Sequence, residues 1–134
     1  MSGEHAALWY AMGGAALVLD AGRRDRWRRA MVAVFVTQIV NTAAKGVVRR
    51  RRPALEDLPA LVKVPTSLSF PSAHSSTSFA AARGFSALVP RAAKPLHVLA
   101  CLMALSRVYL GVHYPSDIAV GALLGSAIGN AGRT

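Results

Sequence analysis

A single cysteine, Cys101, leaves this 134-residue chain no intrachain disulfide. The cysteine lies in an apolar run, where it is expected to be inert packing. Acids are scarce as well, with six Asp and Glu against sixteen Lys and Arg. So few carboxylates argue against a dedicated Mg²⁺ or paired-metal site. No tandem repeat is present. The first residues carry Glu4 rather than a basic region, so the first apolar run is expected to be a retained span and not a cleaved signal. Several apolar runs also fall short of the roughly 20 residues that a single membrane-crossing helix needs.

What the chain does have is an unusual combination. It is 53% hydrophobic yet carries a formal charge of +10. The charge is clustered: Arg23, Arg24, Arg26, Arg28 and Arg29 form one block, and Arg49, Arg50, Arg51 and Arg52 another. Between the blocks charge is sparse, as when apolar spans alternate with wet loops. Basic blocks also suit nucleic acid. A nucleic-acid binder does not need such spans, however, so membrane lipid is the expected partner and nucleic acid is not. The length fits one domain, residues 1–134.

Five spans can be placed, at about 6–20, 30–48, 72–90, 95–110 and 115–130. The expected fold class is all-α, an integral-membrane bundle of about five transmembrane helices. Gly121, Gly125 and Gly129 form a small-residue series on the fifth, a signal for close helix packing in lipid. The stretch 53–71, with Pro53, Pro59, Pro65, Pro71, Glu56 and Asp57, reads as an irregular or interfacial loop. Alternating spans put Arg23, Arg24, Arg26, Arg28, Arg29, Arg91, Lys94 and Arg133 on one side. Lys45, Arg49, Arg50, Arg51, Arg52, Lys63 and Arg107 fall on the other, eight against seven. If chemistry holds some of the second group, the first side is cytoplasmic.

Span order alone brings Lys45 and Arg52, Ser72 and His74, Arg107, and His113 with Asp117 to one membrane face. Pro71 suits the first turn of a helix whose free N–H groups attract anions. Gly111 ends the fourth span and Pro115 starts the fifth. An Asp four residues beyond His113 can fix its tautomer and leave the other ring nitrogen free to attack. Cations and N–H groups suit a phosphoryl group, whose charge is spread over its oxygens. Metal-free covalent chemistry, with no cofactor, is therefore expected. Arg49, Arg50 and Arg51 read as lipid-facing or substrate-attracting charges. Ser75, Ser76, Thr77 and Ser78 read as helix-facing, His5 and His97 as structural or near headgroups. Arg83, within the third span, is expected to snorkel or to pair with Asp20 or Asp25.

These residues resemble the three-part signature of the type 2 phosphatidic acid phosphatase superfamily. Lys45 to Arg52-Pro53 resembles Lys-x6-Arg-Pro, Pro71-Ser72-Ala73-His74 resembles Pro-Ser-Gly-His, and Ser106-Arg107, His113 and Asp117 resemble Ser-Arg-x5-His-x3-Asp. The one departure is Ala73, where the family usually has glycine; alanine keeps the N–H. The resemblance implies a helical bundle and metal-independent hydrolysis of a lipid phosphate. His113 would be the nucleophile, Asp117 its orienting partner and His74 the acid. Lys45, Arg52, Arg107, Ser72 and the Ala73 N–H would hold the phosphate. It further implies a multi-pass cell-membrane protein with its site on the extracytoplasmic face; oligomeric state is left open. Candidate substrates are phosphatidic acid, phosphatidylglycerophosphate and polyprenyl (pyro)phosphates. The whole chain is also similar to actinobacterial members linked to decaprenylphosphoryl-phosphoribose in cell-wall arabinan synthesis. The competing readings are a soluble phosphatase or haloperoxidase on the same fold, and a non-enzymatic basic membrane or nucleic-acid-binding protein.

Overall fold

The computed structural model describes residues 4–54, 62–64 and 66–133, with backbone alone for Glu4 and His5. Glu56 and Asp57, and the His5 side chain, lie outside the described residues. In chain order the elements are α1 (Glu4–Leu19), a 3-10 turn (Ala21–Arg23), α2 (Arg24–Val48), α3 (Ala73–Leu88), a second 3-10 turn (Pro90–Ala92), α4 (Ala93–Tyr109) and α5 (Pro115–Ala131). Each of the five expected spans is one helix, and no strand occurs among the described residues.

Two boundaries differ from the sequence reading. The first arginine block is not a loop: α2 begins at Arg24. Arginine is a good helix former, and local contacts hold the first turns in place. Asp25 lies in the first turn and pairs with Arg28. Trp27 donates its indole N–H to the Asp20 carboxylate and packs on Phe85, with ring centroids 5.2 Å apart. The stretch after α2 is not wholly irregular either. The Arg52 N–H donates to Ser67 O and the Ser69 N–H to Arg50 O, forming an antiparallel bridge at Arg51 and Leu68.

α3 is the central helix and packs on α1, α2, α4 and α5. Its closest partner is α5. A Cβ on Gly121 would stand 2.7 Å from Ser72 O, and one on Gly129 would stand 2.5 Å from Ala80 O. One on Gly125 would fall on the Ser76 carbonyl. Ser72, Ser76 and Ala80 recur every four residues on α3 and meet glycines at the same interval on α5. Two small-residue stripes therefore lie backbone against backbone.

The interior is small or polar. Apart from Trp9, Trp27 and Phe85, the core is largely alanine, and ten polar or charged residues among those described are buried, Thr37, Asn41 and Ser75–Ser78 among them. The large apolar side chains point outward: Val32, Phe35 and Ile39 on α2, Val98, Leu102 and Leu105 on α4, and Leu123 on α5 are all exposed. A water-soluble fold places these groups the other way round. Cys101 faces outward as well, so it is not core packing. Arg83 is exposed, while Asp20 and Asp25 are engaged with Arg23 and Arg28. Among the described residues, one helix, Ala21–Val48, is long and apolar enough to cross a membrane; Ala6–Leu19 is a shorter apolar helix.

The α3–α5 contact yields a stability test. Gly125→Ala places a methyl on backbone that cannot swing aside. It should cost about 1–3 kcal/mol and lower the melting temperature in detergent. Gly14→Ala, with nothing within 4 Å of the new methyl, should not. Equal melting of the two variants would remove the close-packing account.

Candidate active site

The site is built where α2 and α4 end and α3 and α5 begin. Ser72 is the N-cap of α3: its hydroxyl accepts the Ser75 N–H at 3.4 Å, and it is fully buried. Its own N–H donates to the Asp117 backbone carbonyl at 3.0 Å, which ties the start of α3 to the start of α5. Ser75 adds a second tie, its hydroxyl donating to Ile118 O at 2.7 Å. The Phe70–Pro71 peptide before the cap is cis. The carbonyls on either side of it are held from α2: Lys45 Nζ donates to Pro71 O at 2.7 Å, with Ser69 O and Leu68 O at 3.3 and 3.4 Å. Asn41, one turn earlier, donates to Pro71 O and to Ser76 Oγ.

The other half comes from the α4–α5 link. Gly111 has φ 69°, a left-handed conformation that side chains disfavour, and so turns the chain out of α4. Pro115 then opens α5, and Asp117 sits in its first turn. The Asp117 carboxylate is fully buried and caps the helix: Oδ2 accepts the Tyr114 N–H at 2.9 Å. The same Oδ2 faces Nδ1 of the nearly buried His113 at 3.5 Å. That is an ion-pair distance, longer than a usual hydrogen bond. Nδ1 has no closer partner among the described residues. On the other side of the ring, Arg52 NH1 lies 3.1 Å from Nε2 and also donates to Val112 O at 2.8 Å.

This pair of contacts assigns the tautomer. A guanidinium can only donate, so Nε2 must carry the lone pair and Nδ1 the proton. The proton then points at Asp117, and the free lone pair points at the cations.

The electrostatics agree. Burial, then the charges of Arg52 and Lys45, push the His113 pKa down to about 4, with Asp117 opposing. His113 is therefore neutral near pH 7. Burial also lowers the Arg52 pKa; Asp117 pulls it back up, and Arg107 lowers it further. Arg107 lies in the last turn of α4 with its Nε 3.1 Å from Ser106 Oγ. His74 is half-buried in the first turn of α3.

Direct contacts thus link Arg52, His113, Asp117 and Ser72, and Lys45 joins them through the Pro71 carbonyl. His74, Ala73 and Arg107 sit on the same helix ends. Two roles differ from the sequence reading. Lys45 is engaged with main-chain carbonyls and Ser72 with capping, so both build the site as much as line it. Two residues went unrecognised in the sequence. Asn41 is one. Arg50 is the other: it is not a lipid-facing charge, since its NH1 donates to Asp117 Oδ1 at 2.9 Å. The spacing of Asn41 one turn before Lys45 could have suggested the first; one arginine among four gave no signal for the second. Ser75, Ser76 and Ser78 do face neighbouring helices, Thr77 bonds back to Ala73 O of its own helix, and His97 is structural, with Nδ1 on Ala93 O at 2.8 Å.

Comparison with known proteins identifies the family. The PAP2 superfamily profile matches residues 26–133. The chain is 42% identical over 129 residues to the decaprenylphosphoryl-5-phosphoribose phosphatase of Mycobacterium tuberculosis, covering 95% of this chain and 71% of that one. It is 39% identical over 119 residues to the protein of the same name from Mycolicibacterium smegmatis, covering 89% and 65%. It is 32% identical over 98 residues to a lipid A 1-phosphatase of Rhizobium johnstonii, covering 69% and 40%. Its fold superposes on the crystal structure of Aquifex aeolicus LpxE with a TM-score of 0.77 and 27% identity, covering 98% of this chain and 82% of that one. This chain therefore belongs to the PAP2 superfamily.

Proposed function

We propose that this protein is a membrane phosphatase that removes the phosphate monoester of a polyprenyl-linked lipid through a phosphohistidine intermediate. The observation that carries the chemistry is the orientation of His113. Its Nε2 lone pair faces Arg52 and its Nδ1 faces a buried carboxylate. The place where Arg52 meets Nε2 is where a phosphoryl group would sit, with Arg52 turning from the ring to the phosphate oxygens.

In this scheme Nε2 attacks phosphorus and the bond to the lipid oxygen breaks. His74 donates a proton to the departing alcohol. The ring gains positive charge, which Asp117 balances across Nδ1–H. Water then attacks the phosphohistidine, giving its proton to His74, and inorganic phosphate leaves His113 restored. Lys45, Arg52, Arg107 and the Ala73 N–H hold the phosphate oxygens, and Ser72 fixes that N–H in place. No metal is needed. Among the described residues no three of His, Cys, Asp or Glu come together as a ligand set.

The lipid part rests on the outward-facing apolar side chains and on the relatives. Proteins named for decaprenylphosphoryl-5-phosphoribose match over most of this chain, and they favour a polyprenyl-linked sugar phosphate over phosphatidic acid or phosphatidylglycerophosphate. α2 would cross the bilayer, with the shorter helices packed beside it in a locally thinned membrane. The α2 start with Arg24, Arg26, Arg28 and Arg29 lies at the end of the bundle opposite His113. That would face the cytoplasm and leave the site extracytoplasmic.

Detergent-purified protein assayed on polyprenylphosphoryl-phosphoribose, phosphatidic acid and phosphatidylglycerophosphate should release phosphate fastest from the first. A preference for either glycerolipid overturns the substrate reading. His113→Ala should abolish turnover by a factor of about 10³ or more, and wild-type rates in that variant would end the nucleophile assignment. Activity should survive excess EDTA; loss that added Mg²⁺ restores would require a metal. Because burial and cations lower the His113 pKa to about 4, the ring stays neutral well into the acid range. With substrate ionisation subtracted, kcat/KM should hold down to about pH 5 and fall below it. An acid limb centred near pH 6.5 would show that the free ring is not so perturbed.

A further inference from the structure

Of the charges that the sequence left outside the site, Arg50 has the most defined surroundings. Its NH1 donates to Asp117 Oδ1 at 2.9 Å and to Ser116 Oγ at 2.7 Å. Its guanidinium carbon stands 5.1 Å from the Phe70 ring centroid and 5.5 Å from that of Tyr114. Phe70 precedes the α3 cap and Tyr114 the α5 start, so the group is clasped between the two segments that meet at the site. The side chain is 40% exposed, whereas Asp117 is wholly buried.

We propose that Arg50 is a positioning residue that sets His113 through Asp117; the proposal rests on His113 being the nucleophile. A buried carboxylate is held in one orientation by the donors around it. Arg50 pairs directly with Asp117 at 2.9 Å, whereas the neutral His113 ring brings no charge to it. Without Arg50 one carboxylate oxygen would lose its charged donor. The carboxylate can also rotate. Arg50 holds Oδ1 and the Tyr114 N–H holds Oδ2, which keeps Oδ2 turned toward Nδ1. The aromatic faces restrain the guanidinium in turn. Arg52 serves the attacking nitrogen directly; Arg50, two residues earlier on the same bridged segment, serves the opposite nitrogen through the carboxylate.

A substrate-attracting or phosphate-binding arginine would act on KM. A positioning arginine acts on kcat. Steady-state kinetics in detergent, on the fastest lipid phosphate of the panel above, separates the two. Arg50→Gln should lower kcat about tenfold or more and change KM less than about threefold. Arg50→Lys, which keeps a cation on Oδ1, should recover most of kcat. A rise in KM at unchanged kcat, or a Lys variant no better than Gln, overturns the proposal. Should Arg50→Gln not fold, the Asp117→Asn background removes the buried charge, and comparison of Asp117→Asn with Asp117→Asn plus Arg50→Gln still decides. Equal kcat in those two supports action through Asp117 alone; a further tenfold loss, on the order used above, refutes it. The nucleophile reading fails separately, by turnover in His113→Ala whatever Arg50 does.

Discussion

Backbone-to-backbone contact between α3 and α5 is the constraint on which the rest of this structure depends. Gly121, Gly125 and Gly129 let the two helices approach until the Ser72, Ser76 and Ala80 backbones lie against them. At that separation the Ser72 N–H can reach the Asp117 carbonyl, and the Ser75 hydroxyl can reach Ile118 O. The two helix starts are thereby locked side by side. His74 comes from one and the His113–Asp117 pair from the other. A methyl group at any of the three glycines would push apart the two halves of the chemistry.

Asp117 gathers four separate duties at one residue. Its Oδ2 caps α5 and faces His113, its Oδ1 takes Arg50, and its main-chain oxygen takes the α3 N-cap. Burying such a group costs free energy that only a full set of donors offsets. The same set fixes where the carboxylate points, so the interactions that stabilise the site also orient the His113 ring. Lys45 and Asn41 do comparable work on the other side by holding the Pro71 carbonyl.

The interior of the bundle is small and polar and its surface large and apolar. This inversion explains how short helices can form a defined core: few bulky groups separate them, and buried hydroxyls such as those of Thr37, Ser75 and Thr77 donate to main-chain carbonyls. The apolar exterior suits lipid, and the chemistry lies at one end of the bundle, where a phosphate headgroup could be met by cations without drawing the tail into the protein.

Helices were legible because hydrophobic runs and their stops are local. Gly111 and Pro115 placed the α4–α5 link, and the spacing of His113 and Asp117 placed a facing pair on one turn. The convergence of Lys45, Arg52, Ser72, His74, Arg107, His113 and Asp117 at one end followed from alternating spans, and membership of the PAP2 superfamily followed from the motifs they form. Other features depended on contacts between segments distant in sequence. Which of four adjacent arginines reaches the buried carboxylate is decided by the turn after α2 and by Phe70 and Tyr114 closing around it. That Lys45 and Ser72 bind main chain is decided by how the Phe70–Pro71 segment folds back on α2. That Cys101 faces outward is decided by which side of α4 meets α3. Sequence by itself determined the helices and the chemical inventory, because these rest on residue type and spacing. Only the tertiary structure decided which donor meets which acceptor, because a hydrogen bond forms over about 3 Å and sequence distance does not measure it.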